Sequence, residues 1–189
     1  MKKFFLISTL LALCFSASAQ MKASFAGGFD LGASVIKSSE FFHFVQAGGQ
    51  VGVDLESNNG DILFLGAGLN LGICGDKFLS IGDGEKMVFC PLYVDATYDF
   101  NNIGSMIGGL YGELRGGFAF GGITSIKGSK VNSGYFAFGG GYQVGGMSVG
   151  LEFSLYPGMK STIDGYTVTR DSAGSNLAIK FKYRFGKSR

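Results

Sequence analysis

The sequence predicts an all-β protein, an eight-stranded antiparallel transmembrane up-and-down β-barrel. Three observations predict this fold. The N-terminus has the form of an export signal, eight segments alternate between apolar and small or polar residues, and the connections between those segments alternate between short and long. Together they favour a membrane barrel over a soluble sheet.

The N-terminus predicts a secretory signal peptide over residues 1–19. Lys2 and Lys3 are basic, an apolar run extends over residues 4–13, and Ala17-Ser18-Ala19 precedes Gln20 in the A-x-A arrangement of a cleavage site. A lipoprotein signal at Cys14 is the alternative, but Leu13 stands where a small residue is needed. We therefore expect one barrel domain over residues 20–189, exported and cleaved.

Composition excludes several classes of protein. The chain has 33 Gly and 19 Phe among 189 residues, no Trp, and only 16% charged residues, against about 25% charged in an average soluble domain. A net charge of +2 without a basic face argues against nucleic-acid binding. Residues 20–189 have no apolar run of about 18 residues, so a spanning helix is not expected.

Eight segments alternate with a period of two residues, which indicates strands. They cover residues 23–35, 45–56, 63–73, 88–98, 106–120, 136–144, 147–155 and 176–185. In the second segment Val51, Val53 and Leu55 alternate with Gly52 and Asp54. Most segments run to about 10 to 13 residues, the length that a tilted membrane-spanning strand needs.

The connections and the polar face indicate which side of each strand meets lipid. Connections at 57–61, 99–105 and 145–146 are short, whereas those near 37–44, 75–86, 122–133 and 157–174 are longer. Short periplasmic turns and long outer loops are typical of outer-membrane barrels. The non-apolar face is rich in Gly, Ser, Ala and Gln, which fit a narrow interior, and aromatic residues gather near strand ends, where the membrane interfaces would lie.

With these features the chain resembles the small outer-membrane barrels that include the OmpA transmembrane domain and OmpX. The resemblance covers nearly the whole mature chain, and the last strand closes on Phe185 as the family's assembly signal does. It implies a Gram-negative outer-membrane location, contact with outer-membrane lipid, and insertion by the barrel-assembly machinery. It also implies a monomer without cofactor, metal or nucleic acid.

The geometry of the strand at Pro91 decides whether two cysteines can form a disulfide. Proline cannot donate to a strand ladder, so we expect a β-bulge at Pro91. Cys74 and Cys90 flank one loop and are candidates for a disulfide. Strict alternation places them on opposite faces, so the disulfide requires the bulge.

The inward rows are expected to carry charges of both signs. These residues are Asp30, Asp54, Glu56, Asp95, Glu113, Arg115, Glu152, Lys180, Lys182 and Arg184. Charges in a narrow lumen must pair or be hydrogen-bonded, so we expect a structural plug of salt bridges, with a conducting pore as the alternative. The last strand closes the ring beside the first and seventh, so Asp30 and Glu152 are the expected partners of its basic residues.

Catalytic motifs are not found. His43 is the only histidine, and the His-x-Ser spacing of lipid A deacylases is absent because residue 45 is Val. Gly66-Ala67-Gly68 lies inside a strand and lacks the third glycine of a dinucleotide site. We expect no enzymatic activity.

Two loops carry hairpin signals. Asp164-Gly165 separates the β-forming residues 161–163 and 166–168, and residues 81–84 show a similar pattern. Such hairpins would extend strands above the membrane, where an extracellular protein or surface ligand could pair with an edge. A mobile surface loop without a partner is the favoured interpretation of these segments. The expected function is a structural or surface-interaction role in adhesion or envelope integrity. A small porin-like diffusion channel, an outer-leaflet lipid-modifying enzyme and a soluble lipocalin-like barrel are the alternatives.

Overall fold

A computed structural model describes residues 22–35, 44–58, 60–75, 86–100, 109–124, 127–163, 166–169 and 174–186. These ranges contain ten β-strands. They are Lys22–Ser34 (β1), Phe44–Glu56 (β2), Ile62–Gly75 (β3), Lys86–Phe100 (β4), Leu110–Ile123 (β5), Lys130–Val144 (β6), Met147–Tyr156 (β7), Lys160–Ile163 (β8), Tyr166–Thr169 (β9) and Gly174–Phe185 (β10). The described residues include no helix long and apolar enough to cross a membrane.

Eight of the strands form a closed antiparallel barrel, as the sequence predicts. Each of β1 to β7 pairs with its neighbour in sequence, and β10 pairs with both β7 and β1. The pairing of β5 with β6 closes the ring. The remaining strands, β8 and β9, extend the sheet from β6 at the end where the longer connections lie.

The register of the ladders gives the dimensions of the barrel. Starting at Lys22 on β1 and stepping across each pair in turn leads to Gly32 on the same strand, a stagger of ten residues. In an eight-stranded barrel this stagger corresponds to a strand tilt of roughly 40° and a backbone radius of about 8 Å. That interior is just wide enough to be filled by side chains.

The alternation along the strands places apolar side chains outside and polar side chains inside, the reverse of their arrangement in a soluble protein. Large apolar side chains such as Phe25, Phe118 and Phe181 are exposed on the outer wall, while Glu152 and Lys180 are buried in the lumen. The inward and outward rows therefore fall as the sequence predicts.

The predicted bulge at Pro91 is wrong. Leu69 pairs with Leu92 and Gly72 with Phe89, so the register on either side of Pro91 is the same, and only two pairs between them are missing. Side-chain parity is therefore unbroken: Phe89, Pro91 and Tyr93 all face inward. Cys90 is a free cysteine, so the candidate disulfide with Cys74 is not formed.

A bulge occurs instead where β7 passes into β8. Phe136 pairs with Leu155 and Asn132 with Lys160, so the four residues 156–159 lie opposite only three residues of β6. Gly158 takes a positive φ of 64°, which favours glycine and accommodates the extra residue. The bulge shifts side-chain parity by one position.

Several predicted boundaries also change. Asp99 and Phe100, expected in a turn, end β4 and pair with Tyr111 and Leu110. The predicted loop over 122–133 is too long, because β6 begins at Lys130. The hairpin over 161–168 is confirmed as β8 and β9.

Other predictions fall outside the described residues. They concern the signal peptide over residues 1–19, His43, the hairpin at 81–84 and the start of the fifth segment at Met106.

Candidate functional site

The centre of the lumen is occupied by Arg115. Its guanidinium contacts one carboxylate from each of β1 and β7, at 2.8 Å for Asp30 and 3.0 Å for Glu152. Asp95 and Glu113 each lie 3.3 Å from it. The side chain is buried, as are all four carboxylates. A single cation is therefore surrounded by four anions.

These contacts cross the full width of the barrel. Asp95 and Arg115 are direct cross-strand partners on β4 and β5. Asp30 lies on β1, four strands away from β5 in a ring of eight, which is the opposite wall. Arg115 therefore ties two opposite walls together through charge-assisted hydrogen bonds.

The basic row of β10 extends the network along the lumen. Lys180 lies 3.4 Å from Asp30 and 3.3 Å from Glu152, on the two strands that flank β10. These are the partners expected from strand order.

Further toward the short turns, Lys182 forms an ion pair with Glu113 on β5. Arg184 pairs with Asp99 on β4 and lies 3.9 Å from Asp54 on β2. These pairs also connect β10 with strands that are not its neighbours.

Nine of the ten inward charges named from the sequence thus form ion pairs. Seven of them are joined through Arg115 and its carboxylates, and Asp54 and Arg184 form a separate cluster with Asp99. The exception is Glu56, which is half-buried at the last position of β2 and forms no ion pair among the described residues. Asp99, which the sequence predicts in a turn, lies in β4 and pairs with Arg184. Its signal in the sequence is the row Asp95, Thr97, Asp99, which keeps the inward parity of β4 to its end.

Neutral side chains complete the polar layer. The guanidinium of Arg115 donates to Gln50 at 3.3 Å and lies over the ring of Tyr93, 4.6 Å from its centroid. The Tyr93 hydroxyl is 3.0 Å from the side-chain amide of Asn70, and Gln46 donates to Glu152 at 3.5 Å. Arg115 is therefore held by an aromatic face as well as by carboxylates.

An aromatic layer fills the loop end of the lumen. Tyr156 packs against Phe89 and Tyr135 with ring centroids 5.3 and 5.6 Å apart, and Tyr135 packs against Tyr93 at 5.8 Å. Met159 joins this cluster because the bulge turns it inward. No motif in the sequence predicts this layer, because its aromatic members are spread over three strands, β4, β6 and β7.

The short-turn end holds a small cavity of about 20 Å³, enough for roughly one water molecule. It is lined by Gln50, Thr97, Tyr111, Gln143, Ser148, Lys182, Tyr183 and Arg184. Within the described ranges no group of three or more His, Cys, Asp or Glu side chains could hold a metal ion. The lumen of the described barrel is thus a packed polar interior with an aromatic layer at one end.

No family model matches this chain. A search of curated proteins finds no match either. Function is therefore inferred from the geometry of the barrel and its two surfaces.

Proposed function

We propose that this protein is an outer-membrane β-barrel with a structural or surface-interaction role in the cell envelope. The main support for this proposal is the outer wall of the barrel, where apolar side chains are exposed on all eight barrel strands. One from each strand is Phe25, Val51, Leu71, Val94, Phe118, Phe138, Leu151 and Phe181. A soluble monomer rarely exposes a continuous apolar patch of more than a few hundred Å². Lipid is the solvent that suits such a wall.

The dimensions of the barrel support a membrane location. A strand of 12 residues rises about 40 Å along its axis and about 30 Å along the barrel axis at a tilt near 40°, which matches a hydrocarbon core. Exposed Tyr98, Tyr142 and Tyr183 lie near the short-turn ends of β4, β6 and β10. Tyrosine is enriched at membrane interfaces, so this end would lie at the periplasmic headgroups.

The packed lumen supports a structural role over transport. Fully buried Arg115, Lys180 and Glu152 fill its middle, and the aromatic layer covers its loop end. The β8–β9 hairpin supports surface interaction, because β9 ends the strand order of the sheet and pairs with β8 on one side. An edge of this kind can accept a strand from an extracellular protein.

A small diffusion channel is the second candidate. The observation that favours it is the cavity at the short-turn end, which could be the start of a water path. An ion crossing the barrel would still have to displace Arg115 from its carboxylates, so we rank this function second.

Folding in lipid and conductance test the proposal together. Purified mature protein should insert into phosphatidylcholine vesicles, migrate differently in gels before and after boiling, and give no steady single-channel openings in planar bilayers. A protein that stays monomeric in buffer without detergent would instead be a lipocalin-like soluble barrel. Steady openings from an inserted protein would make the channel the better assignment.

A further inference from the structure

The outer wall changes character at the loop end of β6. Of the outward side chains that the structure describes on the eight barrel strands, Lys130 alone is charged. From Gly134 toward the short turns the outward positions of β6 and β7 carry only glycine, apolar or aromatic residues, with Phe136 beside Leu155 and Phe138 beside Phe153, whose rings lie 5.3 Å apart. The positive charge of Lys130 thus lies at the loop end of an apolar wall.

The bulge between β7 and β8 brings a second lysine to the same face. On β7 the odd-numbered residues Leu151, Phe153 and Leu155 face outward. The extra residue at 156–159 reverses that parity, so Met159 is buried and Lys160 is exposed. Without the bulge Lys160 would point into the aromatic layer of the lumen.

The ladder between β6 and β8 fixes the spacing of the two lysines. Asn132 pairs with Lys160 and Lys130 pairs with Thr162, so Lys130 and Lys160 are diagonal neighbours on one face. Diagonal pairs lie about 7 to 8 Å apart, and like charges at this spacing repel. Both side chains are exposed, and the described outward residues around them carry no acid.

The height of the pair matches a lipid headgroup. Lys130 lies twelve residues from Tyr142, the tyrosine placed at the opposite interface, which is about 30 Å along the barrel axis at the tilt given above and equals the thickness of the hydrocarbon core. Lys160, beside Asn132, lies about 5 Å lower on the same face. The polar region of a bilayer extends about 5 to 8 Å beyond the hydrocarbon core, within reach of a lysine side chain. An anionic group at that level would offset the repulsion between the two ammonium groups.

We propose that Lys130 and Lys160 together bind the phosphate of an anionic lipid headgroup in the loop-side leaflet. This inference rests on the proposed membrane location. Two ammonium groups spaced across adjacent strands can both contact one phosphate, whereas a zwitterionic headgroup returns a positive charge to the same site. The bulge at Gly158 is then the feature that builds the site.

Native mass spectrometry of the folded mature protein in detergent tests the proposal. Dimyristoyl phosphatidic acid and dimyristoyl phosphatidylcholine are titrated in parallel, and the dissociation constant of the first bound lipid is compared. A lysine near an anionic surface contributes about 1 kcal/mol, so each of Lys130→Gln and Lys160→Gln should weaken phosphatidic acid binding about fivefold. The double variant should lose the preference over phosphatidylcholine.

Matched variants separate this site from general attraction to positive charge. Lys22→Gln removes an exposed lysine at the short-turn end and should leave binding unchanged, and Lys130→Arg with Lys160→Arg should retain it. Equal affinities of the double glutamine variant and the wild type overturn the proposal, as does an equal loss in Lys22→Gln.

The change in gel migration on heating tests the proposed membrane barrel independently of lipid binding. A protein that does not shift contradicts the proposed function itself. A protein that shifts but has no preference for phosphatidic acid contradicts only the headgroup site.

Discussion

Leu151 and Glu152 are neighbours on β7, yet the first is 52% exposed and the second is fully buried. The same contrast runs around the barrel, where each strand offers an apolar row to the outside and a small or polar row to the lumen. In a soluble barrel the two would be exchanged. Parity along the strand therefore decides the surroundings of every side chain.

The two surfaces also differ in how specific their interactions are. A lumen residue such as Arg115 has named partners at hydrogen-bonding distance on several strands. An outward Leu or Phe needs only an apolar solvent, which is non-directional. Substitutions in the lumen should therefore be sensitive to shape and charge, and those outside mainly to charge.

The largest effect is expected for Arg115→Met. This change leaves four buried carboxylates without their shared cation, and breaking a buried ion pair costs on the order of 3 to 5 kcal/mol. Urea unfolding of protein inserted in lipid vesicles would measure the loss. Lys22→Met, which removes an exposed cation, should change stability by less than about 0.5 kcal/mol. Similar losses for the two variants would contradict the central role of Arg115.

A smaller effect is expected for Leu151→Arg on the outer wall. In the proposed membrane location this charge would face lipid near mid-membrane, which costs about 2 to 4 kcal/mol in outer-membrane barrels. Ser154→Ala, three residues away in the lumen, is the control, because its buried hydroxyl has no hydrogen-bond partner among the described residues. Folding in lipid of both variants is the measurement, and equal tolerance would show that the faces are reversed.

The fold and much of the lumen could be predicted because they depend on a period of two. Alternation alone places Asp30, Glu152 and Lys180 on the inside. Strand order alone then predicts that Lys180 lies near the other two, as its distances of 3.4 and 3.3 Å confirm.

The contacts across the lumen could not be predicted in the same way. Whether Arg115 reaches Asp30 on the opposite wall depends on the stagger of ten residues, which is the sum of eight separate registers. The sequence of any one strand does not determine the sum of these registers. The prediction of a bulge at Pro91 failed for a related reason: the ladder tolerates two missing pairs there without changing register, whereas Gly158 admits an extra residue.

Replacing a glycine by alanine on each face of the barrel wall compares the two faces through the smallest expected changes in stability. A Cβ added at Gly68 on the inward face of β3 would meet the ring of Tyr93 at 2.6 Å. That ring is held by Arg115, Asn70 and Tyr135, so it has little freedom to move away. Overpacking of this kind costs about 1 to 3 kcal/mol, and we expect Gly68→Ala to lose that much.

Gly116→Ala on the outward face of β5 is the matched change, since a Cβ there would have no atom within 4 Å. It should be neutral or stabilise the barrel by about 0.4 to 1 kcal/mol, because alanine reduces the conformational freedom of the unfolded chain. Urea unfolding of both variants in the same vesicles gives the difference directly.

Tyr93→Phe should not rescue Gly68→Ala, because the ring remains, whereas Tyr93→Leu combined with Gly68→Ala should cost less than the sum of the two single changes. Strict additivity of that pair would mean that the Tyr93 ring is not what requires glycine at position 68.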